Sequence, residues 1–485
     1  MKPPRLADSN DPSPQRRVPL RDVCLRYIRN RFGKTLLKAK VAVIGGGLAG
    51  LATATCLADS GCEVDVYESR GFLGGRATSW PVSGAPNAGL QPESPDESEL
   101  VDNCQHVLLR CCHNLLDFYG RIGVADRIKY HSQFIFIEPG GRMSTMRRGC
   151  LPAPAHFAES FLGLSFLAFH EKVAVSRAMG CIPSEWRSRT DLDRITMLDW
   201  LQEKQQPQAA IDRFWYPILV SAVNEELHTM AAAHGLQVFW LGMLSQSDSY
   251  QMGLPSVPLR ELYSEQGLGP NIQIHYRSPI TGISLLNGHI SGLESNDRLI
   301  EADYYVSALP FERVQALLPA LPIQWKVFEH SPITGIHIWF DRPVTNLPHA
   351  ALLDRTIQWM FNKRGGRYLQ LVVSASRGLT EMSKQGIVKL AVRELSEFLP
   401  AVRLASVEKA HVIKEVRATF SAKPCLDAFR PDADTIFPNF FLAGDWTRTG
   451  WPATMEGAVR SGYLAAEAVT RAAWSPRNFL IPDIG

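Results

Sequence analysis

Gly45, Gly47 and Gly50 fall at the G-x-G-x-x-G spacing in the run VAVIGGGLAG, after the apolar β-type residues Val41, Ala42, Val43 and Ile44 and before a helical pattern ending near Gly61. The first glycine permits a tight turn, the second lets a pyrophosphate approach the backbone, and the third lets helix and strand pack closely. Leu48 and Ala49 open the helix, where free amides and the helix dipole favour phosphate charge. About 20 residues on, Glu68 closes a second strand, where a carboxylate accepts hydrogen bonds from a ribose. The chemistry is dinucleotide binding, built on the first half of a βαβ unit.

Two further runs extend this constellation. In ESRGFLGGRATS, Gly74, Gly75 and Arg76 place a fixed cation where a second backbone loop can meet phosphates. Far along the chain, FFLAGDWTRTGWPATMEGAVRSG has a short apolar strand delivering Gly444 and Asp445, followed by Glu456, Gly457 and Ala458 at the start of a helix.

Together these segments resemble the FAD site of the glutathione-reductase-type amine oxidase and phytoene desaturase superfamily. The resemblance implies FAD as cofactor, with Asp445 on the ribityl chain and Arg76 near the phosphates or flavin edge. It also implies that the amides of Glu456, Gly457 and Ala458 face the flavin pyrimidine, where negative charge gathers on reduction. Ile280, in RSPITGI, looks like the strand position whose backbone contacts adenine, or equally a core residue. The implied fold is α/β with an α+β substrate region: a Rossmann-like FAD domain interleaved with a mixed sheet and helical substrate domain.

Several stretches narrow the likeness to the squalene-associated branch, the hydroxysqualene dehydroxylases: DNCQHVLLRCC (102–112), FWYPILVSAVNEE (214–226), MGLPSVPLRELY (252–263), HIWFDRPVTNLPHA (337–350), RTIQWMFN (355–362) and GDWTRTGWPAT. Two positions depart from that pattern. Cys104 stands where the family usually has glycine, and Trp451 where it has a smaller apolar residue; Cys104 is expected to be a silent packing change. The implied reaction is hydride delivery from reduced FAD to an allylic carbon of hydroxysqualene as its hydroxyl leaves as water.

Such a reaction needs a long apolar channel and a proton or hydrogen-bond donor. Phe157, Phe161, Phe166, Phe169, Phe214, Trp215, Phe239 and Trp240 can line a channel or serve as ordinary core. The donor candidates are Gln105, His106, Asn224, Glu225 and Glu226, a carboxyl in an apolar pocket being kept neutral by desolvation. Against these stand a loop-orienting amide for Asn224, a surface carboxylate for one glutamate, and a core histidine for His106. The competing readings are a phytoene or carotenoid-type desaturase running hydride the other way, an amine oxidase, and a non-catalytic prenyl-lipid escort. No paired-aromatic cage or flavin-side lysine can be placed for an amine oxidase. An escort would have no need of the flavin fingerprint present here.

The elements that must position these groups follow from texture. The expected plan is a basic N-terminal extension (1–40), a discontinuous FAD domain (41–110, 252–322 and 432–475), a substrate domain with a helical layer (111–251 and 323–431) and a short tail (476–485). Residues 21–40 carry seven cations against Asp22 and partly follow helical spacing. Such a helix can lie on an anionic membrane surface or pack on the next domain. Residues 82–99 read as a surface loop, and residues 157–179 as a helix broken at Gly180 and Pro183.

Hydrophobic residues at 45% and charged residues at 20% exclude a disordered chain, and a net charge of +3 makes no case for nucleic acid. Nine scattered cysteines form neither a disulfide framework nor a zinc-type spacing, so no metal is expected and a reducing, cytoplasmic compartment fits. The first forty residues lack an apolar signal core, and no apolar run reaches the roughly 20 residues of a membrane helix. A cytoplasmic enzyme, with peripheral contact to the inner face of the membrane as an option, is the expectation. The reductant and the oligomeric state stay open.

Overall fold

The computed structural model describes residues 39–82 and 99–484. The expected basic N-terminal helix and most of the expected 82–99 loop lie outside these residues. The nucleotide-binding sheet has five parallel strands: β1 (Lys40–Ile44), β2 (Glu63–Tyr67), β3 (Ile272–His275), β4 (Tyr304–Ser307) and β5 (Phe440–Leu442), in the order β3-β2-β1-β4-β5. This is the doubly wound order, in which ligands bind at the carboxyl ends where the winding reverses, between β1 and β4. Val41, Ala42 and Val43 are fully buried because both faces of the parallel sheet are covered, Val41 and Val43 packing in one apolar cluster with Leu51 and Val459, and Ala42 in another with Ile290 and Leu293.

Helix α1 (Leu48–Asp59) follows β1, and α2 (Met455–Ala472) follows β5 and packs on α1. Their approach is close enough that a Cβ on Gly462 would lie 2.4 Å from the Ala49 carbonyl. Thr53 Oγ1 donates to the Gly462 carbonyl at 3.1 Å across this seam.

The substrate side is a seven-stranded mixed sheet. Its order is Val407–Phe420, His330–Phe340, Tyr368–Val373, Trp359–Arg364, His349–Leu352, Gln133–Ile137 and Met143–Arg147. Helices between residues 158 and 244 make the expected helical layer. The fold is α/β with a Rossmann-like parallel sheet joined to mixed sheet and helical regions.

Two expectations shift. Helix His113–Arg121 belongs to the nucleotide side: Glu456 of α2 caps its start, and Tyr463 of α2 donates to Asp117 at 2.7 Å. Strand Ile128–His131 also pairs with Met252–Pro255, so the boundary expected at residue 110 falls near 131. The expected helix over 157–179 is two helices, Ala158–Leu162 and Phe169–Ser188, and the second runs through Gly180 and Pro183. Val175, Ala178 and Ile182 bury at most 1% exposed on its inner face, and their packing outweighs the hydrogen bond lost at the proline.

Candidate functional site

The glycine turn after β1 is built as its sequence requires. Gly45 has φ +106°, a left-handed conformation, and a Cβ on Gly50 would lie 1.9 Å from the Gly45 carbonyl oxygen, so only glycine lets α1 pack there. Gly47 differs. Its backbone is extended (φ −81°, ψ 179°), and an added Cβ would meet only the Gly75 Cα, at 3.7 Å. The space above it is left open by the protein, as the approach of a phosphate needs.

Glu68 is buried at the end of β2, where Oε2 accepts from the Gly46 amide and Oε1 from the Arg70 amide, both at 2.8 Å. These bonds aim the carboxylate at the turn while leaving lone pairs for a ribose. Gly74 donates to the Gly46 carbonyl at 2.9 Å, which lays the second loop against the first. Leu48 and Ala49 form the first turn of α1. Ile280 lies in the apolar cluster with Ile44 and Tyr67, and Ser278 beside it donates to the Glu68 carbonyl at 2.9 Å.

Arg76 reaches across the chain to Asp445, Nη2 to Oδ1 at 2.5 Å, and its Nη1 donates to the Ala418 carbonyl at 3.0 Å. Burial works against the Arg76 charge, but Asp445 outweighs it and raises the guanidinium pKa. Two segments 369 residues apart are thereby joined at one point.

At the start of α2, Thr454 caps the helix: its hydroxyl accepts from Gly457 at 3.0 Å and its carbonyl from Ala458 at 2.9 Å. The amides of Gly457 and Ala458, expected to face the flavin, are therefore already engaged. Those of Met455 and Glu456 make no hydrogen bond among the described residues and are the free pair at this end. The Glu456 side chain turns away to accept from Asn114 (2.8 Å) and the Leu115 amide (2.7 Å). The open Gly47 cradle, the aimed Glu68 and these two free amides fit a dinucleotide lying across both halves.

Sequence reasoning missed Arg430. Its side chain is fully buried, and it donates to the carbonyls of Asp445 and Thr447 and to Thr449 Oγ1, each at 2.9 Å, while Nη1 pairs with Asp427 at 2.6 Å. It thus braces the whole Gly444 to Thr449 turn. The signal was present as an arginine before Pro431 just upstream of the strand, at the end of the stretch assigned to the substrate domain (323–431).

The donor candidates separate. Asn103 donates from Nδ2 to the Arg76 carbonyl at 2.7 Å, and its Oδ1 meets His106 Nε2 at 3.1 Å, so this motif adjoins the first half of the site. Burial pushes the His106 imidazole down to about 4, Asp102 opposing this and Arg76 and Lys363 adding to it. Gln105 Oε1 accepts from Lys363 at 2.8 Å and lines a cleft of about 360 Å³ with Asp102, Lys129, His131, Phe361 and Tyr368. Cys104 is buried in the apolar cluster, its thiol pushed up to about 12 by burial.

Asn224 does not fit a donor role. It occupies a left-handed position (φ 58°) and spends its amide on Ser331, Thr419 and the Ala375 amide. Glu225 does not fit a neutral acid. Burial alone would raise its carboxyl, but two bonds from Arg377 (2.7 and 2.8 Å), one from Ser421 (2.5 Å) and one from the Glu226 amide hold it below the ordinary carboxylate range. Glu226 accepts from the Tyr216 hydroxyl at 3.1 Å. None of these three is bonded to the Arg76 or Asp102 to His106 groups.

Among the aromatics expected to line a channel, Phe214, Trp215 and Phe239 are fully buried and pack ring against ring, as core does. Phe169 is 75% exposed. One continuous apolar cluster nevertheless runs from Phe157, Phe161, Phe166 and Trp240 to Tyr67, Cys104 and Trp451 beside the nucleotide turn.

The family described as "Flavin containing amine oxidoreductase" matches residues 48–470, most of the chain. The chain belongs to this flavin-containing family. It is an FAD-dependent oxidoreductase. Similar curated proteins are a 15-cis-phytoene desaturase of Synechococcus elongatus, 25% identical over 89% of this chain and 95% of its own, and a zeta-carotene desaturase of Synechocystis, 26% identical over 89% and 97%. Similar solved structures are an oxidoreductase from Methanosarcina mazei (TM-score 0.64, 16% identity, 87% and 98% of the two chains) and a redesigned putrescine oxidase (TM-score 0.66, 14%, 91% and 100%). At these identities the structures share this flavoenzyme's fold.

Proposed function

We propose that this flavoenzyme exchanges a hydride between FAD and an allylic carbon of a long polyisoprenoid. The observation that carries the reading is the alignment with carotene-desaturating proteins along 89% of this chain and nearly the whole of theirs. The apolar cluster reaching from the helical layer to Cys104 supports it, because a hydrocarbon substrate needs a dry, apolar path to the flavin. Bound FAD supplies a two-electron hydride exchange at its flavin ring. The chain's own groups hold it: the Gly45 to Gly50 turn and Glu68 on one side, the Arg76 and Asp445 pair between, and the start of α2 on the other.

The relatives favour desaturation, in which the substrate loses a hydride to the cofactor and a proton from the neighbouring carbon. A second reading, reductive dehydroxylation of hydroxysqualene to squalene, is supported by the DNCQHVLLRCC, FWYPILVSAVNEE and MGLPSVPLRELY stretches. There the substrate gains the hydride and its hydroxyl leaves with a proton as water. Gln105, His106 and Glu226 are the remaining donor candidates, since Asn224 and Glu225 are engaged elsewhere, and of these Gln105 and His106 adjoin the Arg76 half of the site.

One anaerobic experiment separates these. Oxidised protein mixed with phytoene or zeta-carotene is expected to bleach the flavin and form the dehydrogenated product. Photoreduced protein mixed with hydroxysqualene tests the second reading by flavin reoxidation together with squalene. If neither reaction proceeds and a simple amine bleaches the flavin instead, the polyisoprenoid reading is wrong.

A further inference from the structure

Residues 475–484 form no helix or strand, and they lie beyond the stretch that matches the flavin-containing family. Such a segment keeps one place only if other elements tie it down. Glu467 Oε1 of α2 accepts from the amides of Phe479 (2.6 Å) and Leu480 (2.8 Å), and the Phe479 ring is buried in the cluster on the nucleotide side. Asn114, fully buried in the helix His113–Arg121, accepts from the Ile481 amide at 2.8 Å and donates to the Ile481 carbonyl at 3.0 Å. The same Asn114 Nδ2 donates to Glu456 Oε1 at 2.8 Å. Asp483 then meets two more buried side chains: its Oδ1 accepts from Arg460 Nη1 at 2.9 Å and from Trp451 Nε1 at 3.1 Å.

These ties converge on the second half of the cofactor site. Trp451 and Glu456 bracket the turn that carries Thr454 and the free amide of Met455. Arg460, one turn further along α2, donates from Nε to the Thr449 carbonyl at 3.1 Å and sits 5.7 Å over the Trp451 ring. Both ends of the turn Thr449–Glu456 are therefore fastened to one irregular segment, by Asp483 through Trp451 and Arg460 and by Ile481 through Asn114 and Glu456. The Trp451 ring is buried in the apolar cluster with Cys104, and a buried indole N–H needs an acceptor. Removing the Asp483 carboxylate would take that acceptor away and leave Glu456, at 3.6 Å, as the carboxylate beside Arg460.

We propose that Asp483 is a positioning residue for the flavin: through Trp451 and Arg460 it locks the turn Thr449–Glu456, so that the free amides of Met455 and Glu456 are held in one place and favour the reduced cofactor. Donors that need not reorganise stabilise the charge that gathers on a flavin ring on reduction. With Asp483 lost, the amides are still present but no longer fixed, so FAD binds while its reduced form gains less. The assignment rests on the flavin site and not on the substrate, and it is measured without turnover. Its failure leaves the polyisoprenoid reading standing.

The test is the midpoint potential of the flavin in the full-length FAD-loaded protein, read by equilibration with a redox dye, together with the Kd of the apoprotein for oxidised FAD. Asp483→Leu removes the acceptor for both partners. It is expected to weaken reduced FAD about tenfold more than oxidised FAD, which lowers the two-electron midpoint potential by about 30 mV. Asp483→Asn keeps a carbonyl oxygen for Trp451 and Arg460 and should recover most of that difference. Trp451→Phe, which removes the indole N–H, should lower the potential too, and its combination with Asp483→Leu should fall short of the sum. Arg471→Gln breaks an exposed pair with Asp434 at the far end of α2 and should change neither quantity. Near-ultraviolet circular dichroism of each apoprotein checks folding. A folded Asp483→Leu protein with the wild-type potential overturns the proposal, as does an equal shift in Arg471→Gln. So does weaker FAD binding at an unchanged potential; the segment would then serve stability alone. Should Asp483→Leu not fold, an unchanged potential in Trp451→Phe refutes the proposal equally.

Discussion

Replacing Gly47 with valine should remove the cofactor without harming the protein. The backbone there is extended, a conformation any residue adopts, and an added Cβ meets only the Gly75 Cα at 3.7 Å. The apoprotein should therefore unfold within about 0.5 kcal/mol of wild type. The cofactor suffers instead, because the side chain fills the space through which phosphate oxygens reach the turn. Losing two backbone hydrogen bonds to a charged acceptor, at about 1.5–3 kcal/mol each, amounts to roughly 3–6 kcal/mol, or about 10²- to 10⁴-fold in Kd. Gly50→Ala gives the opposite pattern. Its Cβ would sit 1.9 Å from the Gly45 carbonyl, so α1 must move, costing about 1–3 kcal/mol or more in the apoprotein itself. Titration of each apoprotein with FAD, followed by flavin fluorescence, and urea unfolding of the same samples measure both quantities. A Gly47→Val protein that binds FAD at wild-type affinity, or whose apoprotein is as destabilised as Gly50→Ala, would refute the placement of the pyrophosphate.

Glu225→Gln should leave the flavin half-reaction unchanged but cost about 1–3 kcal/mol of stability, a buried-pair figure reduced because Arg377 is 44% exposed. The folded pKa of Glu225 is depressed, so its contribution is present above the ordinary carboxylate pKa and disappears as pH falls through the folded value; urea melts of wild type and variant should converge only on the acid side. A fall of about hundredfold or more in flavin reduction at unchanged stability would return Glu225 to the mechanism. His106, held down to about 4, should be neutral at pH 6 to 8. His106→Gln is then expected to keep the shape of the rate profile there, and loss of a limb near about pH 6.5 would contradict this. Iodoacetamide should modify exposed Cys150 and Cys425 in the folded protein and reach Cys104 only after unfolding, by peptide mass mapping.

The glycine turn was legible because backbone geometry permits so few residues at Gly45 and Gly50, and the strand positions were legible because parallel strands bury both faces. What escaped depended on partners remote in sequence. Glu225 looks like a candidate acid until Arg377 arrives from 152 residues away. Arg430 looks like one more cation of the substrate domain until the Asp445 turn wraps it. The strand Val407–Phe420 alternates charged and aliphatic residues with few of them buried, so it carries no core signal, and only pairing along His330–Phe340 reveals it. Gly180 and Pro183 read as a helix end because local propensity says so, and the buried side chains on either side overrule them.

The contact between Arg76 and Asp445 has a consequence for how the enzyme is made. On the ribosome, at about 5–20 residues per second, the glycine turn emerges on the order of 20 to 70 s before Asp445 exists. Until residue 307 is made β1 lacks β4 on one side, and from then until residue 442 β4 lacks β5, so an apolar parallel strand waits with one open edge throughout. FAD is then expected to be acquired only after the last helix is released. A chain cut short anywhere before α2 should emerge colourless and prone to aggregate, however intact its nucleotide fingerprint.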